Sequence, residues 1–83
     1  MLTLHAKDNC FVQLKTDKKT VFQGILKKGR SESWSANERI DFSLGNAGVV
    51  ELEVNGKFIP SLGRKGQALK NIVVTKEGLS IER

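Results

Sequence analysis

The sequence contains few of the residues that stabilise small proteins through disulfides or bound metal ions. Its 83 residues include one cysteine, one histidine, one proline and no tyrosine. A single Cys10 cannot form an internal disulfide, and one Cys with one His is too little for a ligand cluster. We therefore expect neither a metal nor a cofactor. No apolar run approaches the roughly 20 residues that a membrane-spanning helix needs.

Catalytic groups are equally scarce. His5 and Cys10 are five positions apart, and a Cys–His nucleophile pair needs hydrogen-bond contact and usually an orienting third group. Cys10 alternates with the apolar Val12 and Leu14, which favours a small buried thiol. No pattern indicates the burial that separates the pKa values of a catalytic acid and base. We predict no catalytic residues and no enzyme activity.

The charge balance is basic, with 14 Lys and Arg residues against 9 Asp and Glu residues and a formal net charge of +5. Nucleic acid, anionic lipid head groups and anionic wall polymers are all compatible with this charge. The charge alone does not choose among them.

Alternation of apolar and polar residues dominates the chain and is interrupted at short intervals by turn residues. In one such segment Val50, Leu52 and Val54 are predicted to face the core while Glu51 and Glu53 face solvent. This period of two, repeated in about eight or nine short segments some 8–12 residues apart, is typical of a sandwich or barrel. We predict an all-β fold, a small antiparallel β-sandwich, immunoglobulin-like or related.

Two turns are defined by their residue types. Asn55-Gly56 predicts a type I′ hairpin, because both central residues of that turn need positive φ. The run Gly45-Asn46-Ala47-Gly48 has two interpretations. In the structural one, the glycines supply positive φ and the Asn46 side chain satisfies main-chain groups. In the functional one, the run is a recognition loop at one end of the sandwich.

Three stretches carry a resemblance to a known family. Asp8 to Val12 (DNCFV) is similar to an opening strand in which an acidic residue precedes Ser-Trp-Val, with Cys10 and Phe11 at the serine and tryptophan positions. Phe22 to Gly29 (FQGILKKG), followed by Trp34, is similar to a run ending in Leu-Lys-x-Gly. Leu44 to Lys57 contains Gly-Asn-Ala, a hydrophobic alternation and Asn-Gly-Lys. In order and spacing, over residues 8–60, the chain resembles the C-terminal domain of the bacterial cell-shape protein RodZ.

The resemblance implies a type of protein rather than a reaction. RodZ-like proteins have a cytoplasmic helix-turn-helix domain that binds the actin-like protein MreB, one membrane helix and a β domain outside the membrane. They support rod shape and lateral wall elongation. We therefore expect residues 1–83 to be a single RodZ C-terminal-like domain, a fragment of a longer membrane-anchored protein. Its expected location is the extracytoplasmic face of the plasma membrane, where cell-wall elongation proteins or an anionic wall polymer are the candidate partners.

The candidate interaction residues are two aromatics, Phe11 and Trp34, together with Asn46 and the basic pair Arg64 and Lys65. Aromatic side chains are enriched at the centres of interfaces, although these two can also cover a partly buried face. The basic pair is more often a solvated turn than a binding site.

A small basic β-barrel that binds nucleic acid is the alternative function. Such barrels stack bases on exposed aromatics interleaved with Lys and Arg. Here there is no tyrosine, and most of the five aromatics occupy positions that look buried. Nucleic acid is therefore the less favoured partner.

Overall fold

The computed structural model describes residues 1–81, which form nine β-strands and one short 3₁₀ turn at Ala47–Val49. The first five strands are β1 (Leu2–Ala6), β2 (Cys10–Thr16), β3 (Lys19–Leu26), β4 (Ser31–Trp34) and β5 (Ile40–Leu44). The remaining four are β6 (Val50–Val54), β7 (Lys57–Ile59), β8 (Leu69–Thr75) and β9 (Gly78–Ile81).

The strands make two antiparallel sheets that pack face to face. Sheet A has four strands in the order β4-β1-β6-β7, and sheet B has five in the order β3-β2-β5-β8-β9. The predicted all-β sandwich of eight or nine short strands is confirmed. Within residues 1–81, no helix has the length and apolarity needed to cross a membrane.

The core follows from the alternation in the sequence. In β6, Val50, Leu52 and Val54 are buried, Glu51 is half-buried and Glu53 is exposed, as the register predicts. The same pattern in both sheets brings their inner faces together in one apolar cluster. Its largest fully buried side chains are Leu2, Leu4, Leu14, Leu44, Leu52, Ile72, Val12 and Val50.

The Asn55-Gly56 hairpin adopts the predicted conformation. Asn55 has a φ of 51° and Gly56 a φ of 84°, and Val54 pairs with Lys57 across the turn. The Asn55 side chain also links neighbouring elements, because its Oδ1 accepts from the amino group of Met1 at 2.8 Å and its Nδ2 donates to the carbonyl of Thr75 at 2.9 Å. Residue 1 is therefore fixed at this end of the sandwich.

A second turn, between β2 and β3, depends on a carboxylate. Asp17 accepts hydrogen bonds from the backbone N–H groups of Asn37, Glu38 and Arg39 at 2.9–3.0 Å. These hydrogen bonds lower the pKa of Asp17 below its ordinary value; the bond from Arg39 N–H contributes most, followed by those from Glu38 and Asn37. The carboxylate thus holds the β4–β5 loop against the turn.

Candidate interaction surfaces

Four loops meet at one end of the sandwich and form what we call the basic loop end. They comprise residues 7–9, 27–30, 45–49 and 60–68. Backbone hydrogen bonds join them: Lys7 N–H donates to the carbonyl of Val49 at 2.7 Å, and Ala47 N–H donates to that of Gln67 at 2.8 Å. The side chain of Asn9 accepts from Lys28 N–H at 2.9 Å, so the first two loops are also tied together.

The basic loop end accounts for the excess positive charge of the protein. Six basic side chains against the single carboxylate of Asp8 leave five net positive charges, equal to the formal net charge of the whole chain. All six are exposed, and none forms an ion pair with another residue in the described range 1–81. They are Lys7, Lys27, Lys28, Arg30, Arg64 and Lys65. Unpaired like charges at one end create a positive field that attracts an anionic partner.

Asn46 holds the basic 60–68 loop in place. Its Oδ1 accepts from Gly66 N–H at 2.7 Å, and its carbonyl accepts from Val49 N–H at 3.4 Å and from the Cys10 thiol at 3.5 Å. Arg64 N–H in turn donates to Oε1 of Gln67 at 2.9 Å. The Asn46 side chain therefore fixes the loop from which Arg64 and Lys65 project.

The glycines of the 45–48 run have a different role from the predicted one. Neither Gly45 nor Gly48 has positive φ, so that part of the prediction is wrong. Gly48 is needed for space instead, because a Cβ there would lie 2.2 Å from the backbone N of Lys65 and 2.4 Å from the carbonyl carbon of Arg64. A Cβ on Gly45 would lie 3.3 Å from the Cβ of Phe11, a tight contact with a side chain.

Phe11 lies at the margin of the basic loop end. Its carbonyl accepts from Gly45 N–H at 2.8 Å, and its ring is on the outer face of sheet B, 45% exposed. It is the register partner of Ile25 on β3, which is 53% exposed. The structure thus brings Phe11, Asn46, Arg64 and Lys65 together.

Trp34 is separate from this group. It is half-buried on β4 and packs edge-to-face on Phe22, with ring centroids 5.7 Å apart. Because β4 and β3 are edge strands of opposite sheets, this pair closes one side of the sandwich. The environment of Trp34 is that of a residue covering the core.

His5 and Cys10 are engaged with other groups. His5 Nδ1 lies 2.6 Å from the Ser31 hydroxyl oxygen, whereas the buried Cys10 thiol donates to the carbonyls of Phe11 and Asn46. Among residues 1–81, no group of three or more His, Cys, Asp or Glu side chains is arranged to hold a metal ion.

The comparison with protein families identifies the chain. The model of the RodZ C-terminal domain matches residues 3–73. This chain belongs to the RodZ C-terminal domain family. No curated protein and no solved structure matches it.

The RodZ match extends beyond the three stretches that suggested it. It begins in β1 and ends within β8, so it includes all four loops of the basic loop end. Strand β9 lies outside the match. The family is one of cell-shape domains and is not a known enzyme family.

Two surface features of this RodZ domain were not predicted from the sequence. One is the exposed edge strand β3. The other is a shallow cleft of about 290 Å³ on the outer face of sheet B, formed where the β5–β8 pairing shifts and Asn71 takes a φ of 58°. An Asn in a strand was the only signal of that irregularity. The side chains around the cleft are mixed in charge: Gln13, Lys15, Asp41, Ser43, Lys70 and Asn71.

Proposed function

We propose that this chain is a non-catalytic interaction module, the extracytoplasmic domain of a membrane-anchored RodZ-like protein that supports rod shape and lateral wall elongation. Its partner is a cell-wall elongation protein with an acidic surface or an anionic wall polymer. In the full-length protein, MreB would be engaged by a cytoplasmic domain that these 83 residues do not contain.

The basic loop end is the observation that carries this proposal. Strand β1 runs from Leu2, beside the Asn55 turn, to Ala6, whose N–H donates to the carbonyl of Arg30 at the basic loop end. Residue 1 and the basic loops therefore lie at opposite ends of the sandwich. If the membrane helix precedes residue 1, as in RodZ-like proteins, the domain can present its positive end away from the membrane and towards the wall.

The distribution of aromatic rings does not favour nucleic acid. Phe42 is buried, and Phe22 and Trp34 pack on each other. The exposed rings of Phe11 and Phe58 lie in different sheets. Single-stranded nucleic acid is usually bound by successive bases stacking along one row of aromatics, and the described strands present no such row.

Charge reversal at the basic loop end tests the proposal. The double variant Arg64→Glu with Lys65→Glu should weaken binding to isolated anionic wall polymer by about tenfold or more, since rim charges govern electrostatic attraction. In the full-length protein, the same variant should round the cells. The wild-type affinity should fall steeply as salt is raised.

The matched control reverses two lysines at the opposite end, Lys57→Glu and Lys76→Glu, which alters the net charge by the same amount. This control should keep both polymer binding and rod shape. Equal losses in the two double variants would mean that overall charge, rather than the basic loop end, drives binding. A rod-shaped Arg64→Glu, Lys65→Glu strain with unchanged polymer affinity would refute the proposal.

A further inference from the structure

Strand β3 is an open edge of sheet B with unusual chemistry. It is the longest strand, eight residues, and it has β2 on one side only. Its segment Thr20–Leu26 contains no charged residue. Val21 and Ile25 are 45% and 53% exposed, and Phe11 extends the apolar surface beside Ile25.

Such an edge is normally protected. Natural sheets guard exposed edges with short strands, charged side chains, proline or β-bulges. The other edge strands are shorter: β4 has four residues and includes Glu32, β7 has three and is followed by Pro60, and β9 has four. Strand β3 has no charge and no proline within its neutral segment. Its pairing with β2 shifts at Val21, near the start of that segment, and is regular from Phe22 to Leu26, where the unpaired backbone groups remain available for another strand.

Lysine pairs bracket the neutral segment. Lys18 and Lys19 precede it, and Lys27 and Lys28 follow it. All four are exposed and lack an ion pair with any described residue. A strand laid along β3 would therefore meet apolar side chains at its centre and positive charge at both ends.

This arrangement selects against a second copy of the chain. In an antiparallel self-pairing centred on Gln23, Lys19 of each copy would lie opposite Lys27 of the other. Like charges directly opposite each other in a sheet are destabilising. The charges instead complement a segment with acidic residues on both flanks.

We propose that β3 is a strand-addition site for an extended segment of a partner protein that has alternating apolar residues and acidic residues at each end. Main-chain hydrogen bonds to the open edge give affinity, and the apolar and acidic side chains give specificity, as in other β-augmentation complexes. This inference rests on the proposed function as an interaction module, and it assigns the protein contact to an edge distinct from Arg64 and Lys65.

The test uses the whole chain and a defined peptide. The probe has two glutamates, seven alternating valine and threonine residues, and two glutamates. Binding should shift the backbone amide resonances of Thr20–Leu26 and slow their hydrogen exchange. Replacing the glutamates of the peptide by lysines should weaken binding about tenfold or more, because opposite charges become like charges at both flanks.

Variants of the protein test whether the peptide binds at β3. Val21→Lys with Ile25→Lys should weaken binding of the acidic peptide about tenfold or more, while the melting temperature stays close to that of the wild type because both sites are exposed. Phe58→Lys, at a 54% exposed site on the edge strand β7, should leave binding unchanged. The Arg64→Glu, Lys65→Glu variant should also bind normally, which separates this inference from the loop-end proposal.

Several outcomes would overturn the inference. These are equal binding of the acidic and lysine-flanked peptides, resonance shifts confined to β7 or β9, or no binding at about millimolar peptide, the weak end of specific affinity. A dimer in sedimentation equilibrium that Val21→Lys with Ile25→Lys abolishes would assign the edge to a second copy instead.

Discussion

Replacing Gly48 by alanine distinguishes a close-packed loop from a merely flexible one. A new Cβ would lie 2.2 Å from the backbone N of Lys65 and 2.4 Å from the carbonyl carbon of Arg64. Favourable contact between carbon atoms begins near 3.5 Å, so the loop would have to move by about 1 Å. That movement would strain the hydrogen bonds from Gly66 N–H to Asn46 Oδ1 and from Ala47 N–H to the carbonyl of Gln67.

The expected cost lies at the upper end of the range for overpacking, about 3 kcal/mol, because the obstructing atoms belong to the backbone. In a domain of this size, such a loss lowers the melting temperature by roughly 12–24 °C. Without the close contact, Gly→Ala at a position with ordinary φ would stabilise the protein by about 0.4–1 kcal/mol. The two cases therefore predict opposite signs.

Urea and thermal unfolding followed by circular dichroism measure the difference. Gly45→Ala is the control, because its Cβ would lie 3.3 Å from the Cβ of Phe11 and at ordinary contact distances, 3.5 and 3.7 Å, from the backbone O and N of Phe11. We expect this control to cost less than about 1 kcal/mol, since a shift of a few tenths of an ångström between the two residues relieves the contact. A Gly48→Ala protein at least as stable as the wild type would show that the loops are not packed as described.

Three further predictions concern the core and the polar contacts. Leu52→Ala, at a fully buried site, should lower the free energy of unfolding in urea by about 2–5 kcal/mol. The control Glu51→Ala should change it by no more than roughly 1 kcal/mol, and equal losses would mean that the register is wrong. Asp17→Asn should lower the melting temperature at neutral pH, and the deficit should shrink below roughly pH 4. The folded pKa of Asp17 is depressed, so its contribution is present above the unfolded pKa and is lost as the pH falls through the folded value; a deficit independent of pH would contradict this. Asn46→Ala should lower the free energy of unfolding in the same urea assay by about 1 kcal/mol, the scale of one lost hydrogen bond. It should also broaden the amide resonances of residues 64–67. Unchanged resonances in that loop would contradict the anchoring role of Asn46.

The fold could be predicted because local patterns determine it. Alternation in β6 assigns Leu52 to the core without knowledge of its partners, and Asn55-Gly56 specifies a hairpin from two residues alone. Local patterns do not predict which strands become neighbours in a sheet. Nothing local to Lys19–Leu26 indicates that β3 is an edge strand, since that depends on where the other strands pair.

The candidate site was only partly predictable for the same reason. Phe11, Asn46, Arg64 and Lys65 were each identified as candidates, but their proximity results from the path of residues 60–68 across the β5–β6 turn. The steric role of Gly48 could not be predicted from the sequence either. Glycine in a turn suggests positive φ. The steric requirement is revealed only by the backbone of Lys65, which is 17 residues further along the chain and adjacent to Gly48 in the fold.

The contacts of Asn46 change what a loss of function at this residue can mean. A side chain that only contacted a partner could be removed without a stability cost, and one that only supported the turn could be removed without affecting binding. The Asn46 side chain is not limited to either role, because its Oδ1 accepts from Gly66 N–H and thereby positions Arg64 and Lys65. Stability and anion binding should therefore fall together at Asn46, while charge reversal at Lys65 should affect binding alone. The exposed side chains of β3 do not take part in that hydrogen-bond network, so strand addition there should be independent of both.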